Sequence, residues 1–258
     1  MTSQVSKDSL KTRLAQRELI VGSWITLAHP AIAEIMARAG FAWLAVDLEH
    51  SVITIGEAEE LIRVIELCGV VPLARLSSND PVQIKRVMDA GAHGIIVPMV
   101  NSAPEAEQAV AAVRYPPQGR RGVGLARAQG YGSAFERYRD WQNHETIVIV
   151  QIEHIQAVEN LAAILAMAGV DGFIVGPYDL SGSLGVPGQF EHPRMIEAME
   201  RIRLVGGQSG KAPGIHIIEP DREQLKQRIA EGYRFVAYSL DIRMLDWCCR
   251  AGLQELDS

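Results

Sequence analysis

The stretch WLAVDLEHS (43–51) begins as an apolar run and ends with two carboxylates and an imidazole within four positions. Its first residues read as a strand buried on both faces, as parallel strands covered by helices are. A buried strand that runs out into ionisable groups fits a TIM (β/α)8 barrel, where strand bodies form the core and strand ends form the active-site rim. Similar runs recur along the chain: LIVGSWIT (19–26), VPLARL (71–76), GIIVPMV (94–100), TIVIVQIE (146–153), GFIVGP (172–177), APGIHII (212–218) and RFVAYSL (234–240). Between and after them, helical spacing covers 30–39, 55–67, 81–90, 103–113, 157–168, 192–205, 222–230 and 242–251. Glycines such as Gly40, Gly91, Gly169 and Gly232 stand just past helix ends, where a left-handed backbone favours them. Eight β/α units in one chain of 258 residues predict a single α/β barrel domain over 1–258. An open doubly wound sheet is the competing architecture, but no Gly-rich dinucleotide turn follows the first strand.

Composition narrows the partners. A formal charge of -6 and no basic run argue against nucleic acid or an anionic membrane surface and favour small molecules. No apolar run reaches the roughly 18 residues of a membrane span, and MTSQVSKDSLKTR lacks the apolar middle of a signal peptide, so a cytoplasmic protein is expected. Cys68, Cys248 and Cys249 show no metal-ligand spacing and read as reduced packing residues.

The strand ends carry the chemistry. The second ends with Asp47, Glu49 and His50, the third with Arg75, the fifth with Gln151 and Glu153. The sixth is followed by Gly176-Pro177-Tyr178-Asp179, the seventh brings His216 and Glu219, and the eighth Asp241. Any one of these reads equally as a helix cap or a solvated loop residue, but together they converge on one rim. Carbon–carbon bond enzymes on this fold stabilise a carbanion through a lysine Schiff base or a metal-bound enolate. The five lysines are Lys7, Lys11, Lys85, Lys211 and Lys226, and none falls at a strand's C-terminal end. Glu153 and Asp179 remain as two hard oxygen ligands on adjacent strands, suited to Mg2+, Mn2+ or Co2+.

The segments DLEH (47–50), RLSSNDPVQIKRVMDAG (75–91), VPMV (97–100), RYPPQGRRGVG (114–124), VQIE (150–153) and GPYDLSGSLGVPG (176–188) resemble the HpcH/HpaI aldolase/citrate lyase family, in order and over nearly the whole chain. The likeness is greatest to class II pyruvate aldolases of the 4-hydroxy-2-oxoheptanedioate and 2-dehydro-3-deoxyglucarate type. It implies a modified barrel whose C-terminal helix packs on a neighbouring subunit in a homo-oligomer, a hexamer built as a trimer of dimers. It also implies retro-aldol cleavage of a 4-hydroxy-2-oxo acid to pyruvate and an aldehyde. On the matching positions it implies Glu153 and Asp179 as metal ligands, Arg75 as the pyruvate-binding and enolate-stabilising group, and His50 as catalytic base. Asp89, with Asp47 near it, takes the place of the carboxylate that raises the histidine's basicity. Gln151 and Gly176, Pro177, Tyr178 and Asp179 fall on substrate-contact positions, Tyr178 through its backbone N–H.

Some residues depart from the family pattern. Leu48 and Ser239 stand where relatives commonly have glycine, and His216 and Glu219 where aldolases tend to be apolar or small. These departures keep open a citrate synthase-like or citrate lyase-like enzyme acting on oxaloacetate or an acyl-CoA, and, from another class, a non-catalytic binding protein. The Gly- and Arg-rich stretch 114–132 has two readings, a mobile connection or a place where Arg120, Arg121 and Arg127 meet an anionic substrate tail or a subunit.

Overall fold

A computed structural model describes residues 8–254. Eight strands, β1 (Ile20–Ile25), β2 (Trp43–Asp47), β3 (Val71–Arg75), β4 (Gly94–Val97), β5 (Ile147–Ile152), β6 (Gly172–Val175), β7 (Ala212–Ile217) and β8 (Phe235–Leu240), pair in parallel in sequence order. β8 closes on β1, so the sheet is a barrel and the open doubly wound alternative is excluded. Around it run α1 (Leu10–Ala15), α2 (Pro30–Arg38), α3 (Ile55–Leu67), α4 (Pro81–Asp89), α5 (Ala103–Val113) and α6 (Phe135–Glu145). They are followed by α7 (Ile155–Glu159), α8 (Leu161–Leu165), α9 (Pro177–Ser183), α10 (Pro193–Gln208), α11 (Arg222–Ala230) and α12 (Asp241–Gln254). Among the described residues no helix is long and apolar enough to cross a membrane. Lys7 lies outside the described residues.

Local chemistry explains the helix starts. Thr54 and Glu57 form a reciprocal capping box on α3, Asp80 accepts from two backbone N–H groups of α4, and proline opens α2, α4, α9 and α10, where its missing N–H costs nothing. The single helix expected over 157–168 is instead α7 and α8, separated at Asn160. The Asn160 side-chain amide donates to the Asn101 carbonyl, 2.8 Å away. Helices α1, α6 and α9 carry little apolar periodicity and were not legible from spacing.

Two apolar layers hold the fold. The outward residues of the strands pack against the helices, while Ile20, Trp24, Trp43, Ala45, Ile149, Ile174 and Phe235 belong to a separate cluster filling the barrel. Leu10 and Leu14 join this inner cluster, so α1 plugs the N-terminal mouth, and Lys11 fastens it by donating to the Thr146 carbonyl (2.6 Å) and pairing with Asp171 (2.9 Å). The Trp43 indole stacks on Phe235 at 4.5 Å and meets Trp24 edge-on at 5.8 Å. Its space exists because position 22 has no side chain: a Cβ on Gly22 would stand 2.1 Å from the Trp43 ring and 2.5 Å from its carbonyl oxygen.

At the closing seam the register slips between Gly22 and Trp24, and Ser239 adopts φ +53°. That left-handed backbone is the region that glycine adopts most readily, so the resemblance's expectation of a glycine at this position has a physical reason. α12 starts immediately after β8, and Asp241 ties it to β1 by accepting from the backbone N–H groups of Thr26 and Leu27, both at 2.8 Å. Farther along α12, Leu245, Trp247 and Leu253 are exposed, and so are Cys248 and Cys249, which corrects their reading as packing residues.

Gly22→Ala is expected to lose about 3 kcal/mol or more of unfolding free energy, since the overlap involves backbone as well as a locked indole. Urea titration checks this, and an unchanged midpoint would show that the indole has room to move.

Candidate active site

Alternation along the strands brings the site together. Trp43, Ala45 and Asp47 share one face of β2, so the strand that fills the barrel at its base delivers a carboxylate at its top. Asp47 is the direct register partner of Arg75 on β3. The two form a buried fork, Arg75 Nε donating to Oδ1 at 2.9 Å and Nη2 to Oδ2 at 2.5 Å. Asp47 also accepts the backbone N–H groups of Glu49 (3.0 Å) and His50 (3.2 Å). Burial pushes its pKa up, but the Arg75 fork and these N–H groups outweigh it and hold the carboxyl below the usual range. The guanidinium lies over the Trp24 ring, 4.4 Å from its centroid, so hydrogen bonds and a cation–π contact fix its plane. Its Nη1 is 3.4 Å from Glu49 Oε2.

Across the rim, Glu153 is buried and held by the main chain. Its Oε1 accepts the Met99 N–H at 2.7 Å, and its Oε2 accepts from the Gln151 amide. Met99 points its N–H there from φ +51°, a conformation unusual for a side chain of its kind. Gly176 lets the β6 exit pass close, because a Cβ there would lie 2.8 Å from Glu153 Oε2. Asp179 follows in the first turn of α9, exposed, while the Tyr178 ring turns outward against Phe190 at 5.0 Å. Burial and the charge of Asp179 raise the pKa of Glu153.

At this rim lies a cavity of about 380 Å3 lined by Asp47, His50, Arg75, Gln151, Asp179 and His216 among others. A larger cavity of about 610 Å3, near Arg63, His93, Arg127 and Trp141, lies against the outer helices and contains none of the strand-end groups. No lysine lines the strand-end cavity. Lys211 donates to the Val170 carbonyl and Lys226 pairs with Glu223, so a Schiff base has no candidate among the described residues.

Within the chain Asp89 is not beside His50. It ends α4, which runs back from the rim, and so sits at the far end of the barrel, where it accepts from the buried Arg121 at 2.6 Å. Within the chain the carboxylate beside the exposed His50 ring is Glu49, with Oε2 3.7 Å from Nε2. The Arg-rich stretch resolves similarly. Arg121 is clamped by Asp89 and Tyr138, and Arg127 pairs with Glu66 and donates to the Ala90 carbonyl, so both brace the scaffold. Reading from sequence also passed over Trp24 and Met99, because an indole in a strand and a methionine after Pro98 carry no signal of chemistry.

Glu153 and Asp179 fit a divalent cation. They are hard oxygen donors, and their charges, with that of Asp47, add to the burial that pushes the Glu49 carboxyl up to about 7 against the pull of Arg75. Among the described residues no third His, Cys, Asp or Glu completes a cage, so such an ion would keep positions for water and substrate.

A barrel rim with two such carboxylates, a clamped arginine, a histidine and no lysine is that of a lyase that makes and breaks carbon–carbon bonds. Residues 21–246 match the HpcH/HpaI aldolase/citrate lyase family, and the chain belongs to it. It is 41% identical over 243 residues to the 4-hydroxy-2-oxo-heptane-1,7-dioate aldolase of Escherichia coli, covering 93% of this chain and 91% of the other. It is 38% identical over 244 residues to the hydroxypyruvate/pyruvate aldolase of Roseobacter denitrificans, covering 92% and 93%. A crystal structure of a family protein from Burkholderia cenocepacia superposes with a TM-score of 0.91 at 35% identity, covering 96% of this chain and 99% of that one. The chain is thus an aldolase of the class II kind, a carbon–carbon lyase acting on small molecules.

The raised Glu49 pKa has a consequence for stability. In the folded protein the carboxyl keeps its proton up to about pH 7, against 4.5 in its ordinary state. The neutral form therefore contributes stability that is fully present below about pH 4.5 and lost as pH rises through about 7. In chelator, the wild type should weaken relative to Glu49→Gln between about pH 5 and pH 8, read by urea unfolding. A pH-independent difference would mean that Glu49 is ionised throughout.

Proposed function

We propose that the enzyme cleaves a 4-hydroxy-2-oxo acid to pyruvate and an aldehyde and catalyses the reverse addition. The observation that carries this is the Asp47–Arg75 fork, which fixes a guanidinium beside the Glu49, Glu153 and Asp179 carboxylates. The curated relatives, 38% and 41% identical, are aldolases, which favours this reading over citrate formation or cleavage.

Glu153 and Asp179 would hold Mg2+, Mn2+ or Co2+, which when bound supplies a Lewis acid for the carboxylate and ketone oxygens of the 2-oxo acid. Arg75 binds the ketone oxygen and stabilises the charge that develops there as the enolate forms. Its fork to Asp47 and its seat on Trp24 leave it no reorganisation to make. His50, exposed at the rim, takes the proton of the 4-hydroxyl. The C3–C4 bond then breaks, its electron pair becomes the C2–C3 enolate, the aldehyde departs, and C3 is protonated from the rim. Glu49 stabilises the imidazolium that results. Gln151, Gly176, Pro177 and Tyr178 shape the pyruvate end. The exposed Leu245, Trp247 and Leu253 of α12 support a homo-oligomer, a hexamer by the family likeness. The free thiols accord with the reducing cytoplasm.

Oxaloacetate decarboxylation separates the roles, since loss of carbon dioxide needs the enolate but no hydroxyl proton. His50→Ala should keep most decarboxylation while aldol cleavage falls by about 10²–10⁴-fold. Glu153→Ala, Asp179→Ala and Arg75→Lys should lose both, the last because an ammonium cannot make the fork. A wild type that shows neither metal-dependent decarboxylation nor pyruvate release would end the proposal.

Self-association is tested by light scattering. Trp247→Asp together with Leu253→Asp should lower the mass of the assembly, and a monomeric wild type would contradict the role given to α12.

A further inference from the structure

Arg243, near the start of α12, lines the reaction cavity, and the proposed chemistry does not use it. Both of its terminal nitrogens are taken. Nη2 donates to Glu219 Oε2, on the loop after β7, and Nη1 to Asp246 Oδ2, one turn along the helix, each at 2.6 Å. Asp246 also accepts from Arg250 Nε at 2.8 Å. Two carboxylates and two guanidinium groups cancel, so this corner of the cavity holds an arginine but no net charge. The Arg243 side chain is 33% exposed, so what withholds it from a ligand is its partners and not burial. A single exposed ion pair would hold little, but an anion entering here must displace a carboxylate from a guanidinium engaged at both ends, and it gains no more than it removes.

The path of the substrate follows from the strand order. In the closed barrel Glu153 and Asp179 stand at the ends of β5 and β6, Arg75 at the end of β3 and His50 just past β2. With the pyruvate end on the first three and the 4-hydroxyl at His50, the wall left for the carbons beyond C4 is that of β7, β8 and the start of α12. There the cavity is lined by Ile218, Leu240 and Ile242, the last 43% exposed. The Ile218 carbonyl already accepts the Ser239 hydroxyl at 2.9 Å. His216, in the same wall, adds no charge, because burial and then the charge of Arg75 push its pKa down to about 3. We propose that Glu219 is a positioning residue that sets acceptor specificity: by holding Arg243 it reserves this end of the cavity for an uncharged, apolar aldehyde. This rests on the aldolase reading and adds the class of aldehyde to it. Glu219 stands out in the sequence as a departure from the family pattern, and the clamp gives it a task.

The test compares two acceptors of one shape, 4-methylpentanal and 4-oxobutanoate, the first carrying an isopropyl group where the second carries a carboxylate. Pyruvate is the donor, with Mg2+ present. Wild type should favour 4-methylpentanal by about tenfold or more in kcat/KM, since a carboxylate brought here loses its hydration and finds no free partner. Glu219→Gln removes the charge that holds Arg243 and should cut that ratio by about tenfold, chiefly through a lower KM for 4-oxobutanoate. Glu219→Asp, which keeps the carboxylate, should keep most of the wild-type preference. Adding Arg243→Leu to Glu219→Gln should abolish the gain, because the gain passes through the released guanidinium. A wild type that takes 4-oxobutanoate as well as 4-methylpentanal overturns the proposal whatever the variants do. So does an unchanged ratio in Glu219→Gln, a gain that survives Arg243→Leu, or Glu219→Asp behaving as Glu219→Gln. If pyruvate adds to no aldehyde and oxaloacetate is not decarboxylated, it is the aldolase reading that fails, and the Glu219 assignment falls with it. Metal-dependent pyruvate chemistry with no discrimination between the acceptors overturns the Glu219 assignment alone.

Discussion

The site depends on one buried ion pair, Asp47 with Arg75. Taking both charges out of water is costly, and here the cost is met by saturation: the carboxylate accepts two guanidinium N–H groups and two backbone N–H groups, and the guanidinium rests on an indole. The pair joins β2 to β3 at the point where the barrel opens. It also folds the chain after β2 back over the rim, since the backbone N–H groups of Glu49 and His50 are among those it engages. The position of the histidine is thus a by-product of neutralising the arginine's counter-ion.

Opposite this pair the site is strained and acidic. Met99 holds an unfavourable backbone angle to offer Glu153 its N–H, and Gly176 gives up a side chain so that Glu153 can be approached. Three carboxylates then share one mouth, and burial has already pushed two of them up. The divalent cation proposed for Glu153 and Asp179 would offset this excess of negative charge. The protein spends stability on the acidic side and recovers rigidity on the side of the arginine.

The barrel was legible in the sequence because strand bodies buried on both faces and amphipathic helices leave separate periodic signatures, and all eight strands lie where the apolar runs stand. The strand-end groups Asp47, Arg75, Gln151, Glu153 and Asp179 were legible for a related reason: polarity at the end of a buried strand is costly unless used. Helices α6 and α9 were not, since FERYRDWQNHE and PYDLSGS show too little apolar spacing. The place of Asp89 was not legible, because proximity in a motif says nothing of which end of a helix a residue occupies, and α4 carries it to the opposite mouth of its own barrel, where it pairs with Arg121. The assignments that need three dimensions, such as the N–H of Met99 and the double clamp on Arg243, rest on backbone angles and contacts that no residue type announces.

The Gly22–Trp43 fit bears on how this barrel can change over generations. Enlarging the first residue without shrinking the second is blocked, and shrinking the second alone opens a void beneath Phe235 and Trp24. Since Trp24 also seats Arg75, the void would be felt at the rim. Neither position can drift alone, so a lineage that alters the base of the barrel must pass through paired substitutions, and its catalytic rim inherits the history of a glycine well below it.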